Sequence, residues 1–402
     1  MSGHRRVVIV GGGIAGWTVA ASLREGGYDD AIVIIEREAA CYDRPPLSKT
    51  ALVDHTPLDA LRFADDAKLA ELRIETRVGR TATALNAADL SVTLDDGAAV
   101  AADAVVLATG AFARVPAFPG AALPGVSTLR TYADAVTLQG LLGRRVAVVG
   151  AGLIGAEAAA ALHQAGSPVV LIDPNQVPGV RAFGPTMAGY LHAMHADHGV
   201  DTRTDRVTAV TAAEGGELRV QLTGGGCVDV DGVLVGTGIV IDTTLADHAG
   251  LDVDEGIVVD DAGRTSAAGI FAVGDATRRR LPGGLAASRG HWEAARLDGR
   301  AVAAAILGTA PDPRGADWFW SDRYGHHIEV VGDMAGDGRE VVRPGPHPTA
   351  FRIDGDRLLG AASVDDPMAV RAARRLIDRS VAVSVDQLSD PGVPLRSLLP
   401  RG

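Results

Sequence analysis

Apolar positions along the chain fall into two copies of one pattern. Residues 7–10 form a short, fully apolar run that reads as a buried strand, and Gly11-x-Gly13-x-x-Gly16 follows it at once. Helically spaced apolar residues then run through Trp17, Ala20, Ala21 and Leu23. A second apolar run, residues 31–35, ends on an acid, Glu36. The same order recurs later: a strand at 144–149, Gly150-x-Gly152-x-x-Gly155, a helical stretch at 156–165, and a strand at 169–172 ending on Asp173. Strand, glycine turn, helix, strand and acid in that order make a dinucleotide-binding unit. The first glycine permits the tight turn, the second lets backbone approach a pyrophosphate, and the third lets helix and strand pack closely. The helix N-terminus offers N–H groups and partial positive charge to the phosphates, and the acid accepts from a ribose hydroxyl. The pattern does not say which dinucleotide each copy takes.

Between and after the two copies the pattern predicts a loop at 40–60, a helix at 64–73 and a hairpin at 76–101 turning at Asp95-Asp96-Gly97. A strand at 103–108 runs into the turn Thr109-Gly110, and an Ala/Pro/Gly-rich linker covers 111–126. A further hairpin is predicted at 207–230, a strand at 232–235 before the turn Gly236-x-Gly238, and a strand–turn–strand over 256–275 closing at Gly274-Asp275. A helix follows at 291–307. From about 317 the pattern changes to short strands at 328–332, 339–343, 349–353 and 358–363, then a helix at 367–380. This organisation is α/β, with two Rossmann-like dinucleotide-binding domains and a C-terminal α+β domain. The boundaries fall at 1–115 with 245–316, at 116–244, and at 317–402.

Composition removes several alternatives. A net charge of −12 argues against a simple basic nucleic-acid binder. No apolar run reaches the roughly 18–20 residues that span a bilayer, so no membrane role is expected. The N-terminus lacks a signal-peptide pattern because the first strand starts almost immediately. Cys41 and Cys227 are far apart, which excludes a disulfide framework or a cysteine-rich metal centre and fits a reducing cytoplasm. The eleven histidines show no metal-ligand spacing, and the adjacent pair His326-His327 would point to opposite faces of a strand, so no metal is expected. Of 38 basic residues only Lys49 and Lys68 are lysines. An ammonium was therefore used at two places in an otherwise arginine-rich chain; Lys68, in a plain helix, reads as surface.

Arg44-Pro45-Pro46-Leu47-Ser48-Lys49, the motif Trp318-Phe319-Trp320-Ser321-Asp322 and the C-terminal domain narrow the choice. With Ala108-Thr109-Gly110 and Gly274-Asp275 they resemble the FAD-dependent NADH:ferredoxin reductases over nearly the full chain. These are glutathione-reductase-like flavoproteins of the putidaredoxin reductase and rubredoxin reductase type, and apoptosis-inducing factor is a relative. The resemblance implies FAD on the first unit, with Gly11, Gly13, Ile14, Ala15 and Gly16 at its pyrophosphate and Glu36 and Arg37 at its adenosine. Ala82 would meet the adenine through its backbone. Arg44, Pro45, Lys49, Ala108, Thr109, Gly110 and Arg114 would contact the cofactor, as would Gly274, Asp275 and Trp292.

The resemblance also implies NADH on the second unit, with Gly150, Gly152, Leu153, Ile154 and Gly155 at the turn, Asp173 at the ribose, and Arg181 and Gly238 nearby. A carboxylate at Asp173 accepts from a 2′-hydroxyl and repels a 2′-phosphate, favouring NADH over NADPH, although Arg181 offers a phosphate partner. Lys49 and Glu157 would pair, with Trp320 beside them, as the catalytic set. Read from its position alone, Glu157 is a first-turn carboxylate stabilised by its helix terminus. Trp320 alone reads as core, and Trp318 and Phe319 read as packing. Cys41 lies too close to Glu36 to match the redox cysteine of flavoprotein peroxidases and oxidases. Ser288-Arg289-Gly290, Phe112 and Ile241-Asp242 depart from the family pattern.

The implied partner is a 2Fe–2S ferredoxin serving a haem-thiolate monooxygenase or Rieske-type dioxygenase. Arg278-Arg279-Arg280 is the candidate docking patch, and the enzyme would be a monomer or weak homodimer. The other readings are a rubredoxin reductase, an NADH oxidase or peroxidase, and a redox signalling protein like apoptosis-inducing factor.

Overall fold

A computed structural model describes residues 6–400 apart from Arg289, so that member of the Ser288-Arg289-Gly290 departure lies outside the described residues. The chain forms two compact units. One comprises the chain up to Arg44, Pro57–Phe112 and Ile239–Arg314; the other comprises Pro45–Thr56, Ala113–Gly238 and the chain from Gly315 onward. The second dinucleotide fold and the C-terminal domain thus share a unit. The short segment after the first acid joins them, where the sequence boundaries left it with the first fold. Among the described residues no helix is long and apolar enough to cross a membrane.

The first unit is built on a five-stranded parallel sheet. Its order is Ile270–Ala272, Ala104–Leu107, β1 (Arg6–Val10), β2 (Ala31–Glu36) and Ile74–Val78. Four of the five β1 residues and five of the six β2 residues are buried, as continuous apolar runs require of strands covered on both faces. Helix α1 (Ile14–Glu25) lies between them in sequence and packs against the helix Trp292–Leu307. Val19, Ala20 and Leu23 enter one core with Val302, Ala303 and Ile306. The predicted 76–101 hairpin is instead a three-stranded antiparallel sheet, Ala82–Asn86, Ser91–Leu94 and Ala99–Ala101, while Ile74–Val78 pairs in parallel with β2.

In the second unit β3 is Val146–Val149, α2 is Leu153–Gln164 and β4 is Val169–Asp173, and the parallel sheet is repeated in the order Asp201–Thr204, β4, β3, Gly232–Val235 and Val126–Thr128. The predicted 207–230 hairpin carries a third strand, Cys227–Val230. Helix α3 (Pro185–Asp197) follows β4. The C-terminal domain is a five-stranded antiparallel sheet of β5 (Trp318–Arg323), β6 (His326–Gly332), β7 (Arg357–Val364), Thr349–Asp354 and Arg339–Arg343. Helix α4 (Pro367–Asp378) covers one face, burying Ala369, Val370, Ala373 and Leu376 against Val331, Phe351 and Ala361.

Both glycine turns have one geometry. Gly11 sits at φ +108° and Gly150 at φ +97°, and a Cβ on Gly11 would stand 2.1 Å from the Ala108 carbonyl oxygen. A Cβ on Gly16 or Gly155 would stand 2.0 or 1.9 Å from the carbonyl oxygen of Gly11 or Gly150, so each helix begins in contact with its own turn. Gly13 and Gly152, the two N-caps, have open space where a Cβ would go. Gly16→Ala is expected to destabilise the first unit by about 1–3 kcal/mol or more. With FAD on the first turn, as the resemblance implies, Gly13→Ala should fold normally and retain less of it. The flavin-to-protein absorbance ratio and the thermal midpoint separate the two outcomes, and normal flavin content in both variants would contradict this account.

Candidate functional site

The two acids that end β2 and β4 are held alike. Glu36 accepts from the Gly12 N–H at 2.6 Å and the Glu38 N–H at 2.8 Å. Asp173 accepts from the Ala151 N–H at 2.8 Å and from the backbone and side-chain N–H of Asn175 at 2.8 and 2.9 Å. Both are buried. Each carboxylate is locked at a strand end facing its glycine turn, with acceptor capacity left for ribose hydroxyls. Open space at the Gly13 and Gly152 helix N-termini fits a pyrophosphate, so both turns fit a dinucleotide. Arg181 is exposed on the short helix Val180–Phe183.

Cys41 is packed beneath the first turn: a Cβ on Gly12 would stand 2.3 Å from its Sγ. Burial, and then the Glu36 charge, push this thiol up to about 12. A thiol held neutral is a poor nucleophile.

The remaining candidates of the first unit occupy its loops. Arg37 lies over the Phe112 ring, 4.4 Å from its centroid, and 3.7 Å from Asp242. Two family departures, Phe112 and Asp242, therefore meet through one guanidinium. The Thr109 hydroxyl donates to the Asp242 carbonyl at 2.6 Å, and Gly110 takes a positive φ of 68°. Ala108 is buried beneath Gly11, and Ala82 opens its strand half-buried. Arg44 pairs with Glu38 at 2.8 Å. The Trp292 indole donates to Asp43 at 2.7 Å from the first residue of its helix. Gly274 and Asp275 form a single 3₁₀ turn after Ile270–Ala272, and the Gly274 N–H donates to the Asp298 carboxylate at 3.3 Å. In the second unit the Arg114 N–H donates to the Gly238 carbonyl at 2.9 Å.

The densest cluster lies in the second unit, around Glu157. Helix α2 starts at Leu153, so Glu157 is its fifth residue and opens the second turn, a correction to its first-turn reading. Its carboxylate answers to groups far away in sequence, not to the helix terminus. Oε2 accepts from the Ser48 hydroxyl at 2.5 Å and lies 3.3 Å from the Lys49 ammonium. Oε1 accepts from the Ser321 hydroxyl at 2.8 Å and the Asp322 N–H at 3.3 Å. Four donors meet the roughly four lone-pair sites of a carboxylate.

Lys49 is matched in turn. Its Nζ reaches Glu157 and Asp322 at 3.3 Å each and the Pro45 carbonyl at 3.4 Å, three acceptors for three N–H bonds. It also lies 5.9 Å from the Trp320 ring centroid, and Trp320 stacks on Trp318 with centroids 5.2 Å apart. The structure thus brings together Lys49, Glu157 and Trp320. It adds Ser48, Ser321, Asp322 and Arg323, which the sequence reading passed over although three of them lie inside the quoted motifs. Asp322 continues to His327 Nδ1 at 2.6 Å. Arg323 is buried and feels the Glu157 charge. Burial pushes its guanidinium down to about 10 against the Glu157 charge, and its planar group lies 5.5 Å from the Phe183 ring centroid. Phe319 packs on the same Phe183 at 5.7 Å.

The triplet Arg278-Arg279-Arg280 forms a strand and is not a free basic patch. Arg278 pairs with Asp254 and Glu255, Arg279 with Asp261 and Arg280 with Asp252.

Two buried-acid glycine turns, each on its own parallel sheet, followed by an antiparallel C-terminal domain define a pyridine-nucleotide flavoprotein oxidoreductase. Residues 5–299 match the pyridine nucleotide-disulphide oxidoreductase family and residues 318–399 the reductase C-terminal family. The chain is 34% identical to rhodocoxin reductase of Rhodococcus erythropolis, over 98% of this chain and 94% of that one. It is 38% identical to the ferredoxin–NAD(+) reductase component of the anthranilate 1,2-dioxygenase system of Burkholderia cepacia, over 98% of each. Its structure superposes on putidaredoxin reductase, solved in covalent complex with putidaredoxin, with a TM-score of 0.92, 31% identity and 98% of each chain covered. The chain belongs to the pyridine nucleotide-disulphide oxidoreductases, among the ferredoxin–NAD(+) reductases, and is a flavoprotein oxidoreductase that uses FAD and NADH.

Glu157→Ala leaves Lys49 with one carboxylate and Arg323 without its buried counter-charge. It is expected to cost about 3–5 kcal/mol of stability, read from the urea midpoint and slope. Glu157→Gln, which keeps the shape and two acceptor sites, should cost less. A loss below about 1 kcal/mol in the alanine variant would show that the carboxylate is not the anchor.

Proposed function

We propose that this chain passes electrons from NADH to a 2Fe–2S ferredoxin that serves a haem-thiolate monooxygenase or a Rieske-type dioxygenase. The observation that carries the reading is the Lys49 ammonium, held by Glu157, Asp322 and Pro45, in a chain whose buried Cys41 thiol stays neutral. Bound FAD supplies the conversion that the reaction needs, because nicotinamide gives up two electrons as hydride and an iron–sulfur cluster accepts one. Lys49 would supply a fixed positive charge to offset negative charge on the reduced flavin, with Glu157 fixing the ammonium and Trp320 shielding it. Asp173 selects NADH by accepting from a 2′-hydroxyl and repelling a 2′-phosphate. The two free cysteines fit a reducing cytoplasm. We read the protein as a monomer or weak homodimer.

Docking of an acidic ferredoxin needs a local basic surface on a protein of net charge −12. Each arginine of the 278–280 triplet has an acid beside it, and only the Arg280 side chain, 65% exposed, projects well into solvent. Helix α4 presents Arg371 and Arg375 one turn apart, with Arg379 a turn further on, all exposed. We assign docking to this stripe first and to Arg280 second.

Purified enzyme with candidate 2Fe–2S ferredoxins should reduce at least one of them faster with NADH than with NADPH. Arg371→Glu/Arg375→Glu should lower ferredoxin-dependent turnover about tenfold at low salt and leave NADH–ferricyanide turnover unchanged, with a smaller effect from Arg280→Glu. Equal loss of both activities would sink the docking assignment. Cys41→Ser should keep full turnover; its inactivation would favour the oxidase or peroxidase reading instead.

A further inference from the structure

The two neighbouring histidines of β6 point to opposite faces of the strand, and each finds its own acid. His327 turns toward Asp322, as described above. His326 turns the other way, and its Nδ1 lies 2.7 Å from Oδ2 of Asp365, the residue that follows β7. His347, on the connection between Arg339–Arg343 and Thr349–Asp354, brings its Nε2 to 3.6 Å from the same oxygen. Two imidazole nitrogens therefore converge on one carboxylate oxygen, and one ligand atom from each residue lies within 4.8 Å of the others. Ligand bonds to zinc of about 2.0–2.2 Å in a tetrahedron place donor atoms about 3.3–3.5 Å from one another. The 2.7 and 3.6 Å separations bracket that value, and a relative shift of little more than about 1 Å in the widest pair would close the set.

Both ends of the set are already oriented from outside. The His327 N–H donates to Asp365 Oδ1 at 2.8 Å, and the Asp365 N–H donates back to the His327 carbonyl at 2.8 Å. This clamp occupies Oδ1 and leaves Oδ2 aimed at the two rings. The other nitrogen of His347, Nδ1, lies 2.7 Å from the Tyr190 hydroxyl on α3. A hydrogen bond at Nδ1 fixes the ring and leaves Nε2 as the coordinating atom, the outer-partner arrangement that metal-binding histidines use. All three side chains keep part of their surface, between 28% and 39%, so an ion can enter and a water can fill the fourth position.

We propose that His326, His347 and Asp365 form a binding site for one divalent zinc-like cation. Two imidazoles and one carboxylate suit zinc, cobalt or nickel, and not calcium or magnesium, which take oxygen ligands. The site joins β6, the turn after β7 and the loop carrying His347, and through Tyr190 it reaches α3. It therefore acts as a clasp between the C-terminal sheet and the second dinucleotide fold. It plays no part in the electron-transfer reading above and stands or falls separately.

The test uses the FAD-loaded enzyme carrying Cys227→Ser, which removes the exposed thiol as a competing ligand. After chelator dialysis it is titrated with ZnCl₂ by calorimetry and with CoCl₂ by visible absorption. One zinc per chain, a cobalt band of four- or five-coordinate type, and a raised Tm in zinc are expected. His347→Ala and Asp365→Asn should abolish the cobalt band, and Tyr190→Phe should weaken zinc about tenfold. NADH–ferricyanide turnover and flavin absorbance should stay unchanged in all variants, which shows that they are folded. Unchanged stoichiometry and affinity in His326→Ala/His347→Ala, or no zinc uptake by the starting protein, would overturn the proposal.

Discussion

A carboxylate buried away from water is costly unless every lone pair finds a donor. Glu157 meets that constraint with a hydroxyl from each of two motifs, one backbone N–H and one ammonium. The donors come from the 3₁₀ turn Pro45–Ser48 with the Lys49 that follows it, and from β5, both far from α2 in sequence. Satisfying one acid thus requires three separate stretches of chain to meet, and this makes Pro45–Thr56 part of the second unit. The same requirement places Lys49 with little freedom: its three N–H bonds are already spoken for, so its charge is fixed in position before any ligand arrives. An electrostatic effect that needs no rearrangement at the moment of reaction is the kind that lowers barriers most.

The two dinucleotide turns show how far one local solution can be reused. In each, the third glycine touches the carbonyl of the first, and the acid at the next strand end takes the N–H of the residue after the first glycine. These contacts lie within a single strand–turn–helix–strand unit. The difference lies behind the turn. Cys41 fills the space under Gly12 and is inert there because burial keeps it protonated.

Legibility in the sequence followed this division between local and distant. Both turns, their helices and both acids could be read from the chain, because their causes lie a few residues apart. The hairpin predicted at 76–101 takes in the end of Ile74–Val78 because that strand's partner, β2, lies on the far side of a long loop region. Read from its position alone, Glu157 points only to a helix terminus, because its partners are 108 to 165 residues away; the pairing with Lys49 comes from the resemblance. Phe112 and Asp242 looked like unrelated departures; Arg37 between them makes them one substitution in physical terms. The cation-binding set of the C-terminal domain has no spacing signature at all, since its ligands come from a strand and two separate connections.

The division of the chain has a consequence for how the protein is made. The boundaries at Arg44/Pro45, Thr56/Pro57, Phe112/Ala113, Gly238/Ile239 and Arg314/Gly315 mean that the chain passes between the units five times. The RPPLSK motif is itself cut by the first of these passages. No single cleavage releases either unit; the first is complete only once the chain reaches Arg314, and the second only at its end. On the ribosome the first parallel sheet waits for Ile270–Ala272 to fill its edge, and Glu157 stays without Ser321 until β5 emerges. Folding is therefore a late event of synthesis, and the nascent chain holds a buried acid's partners apart for most of its length.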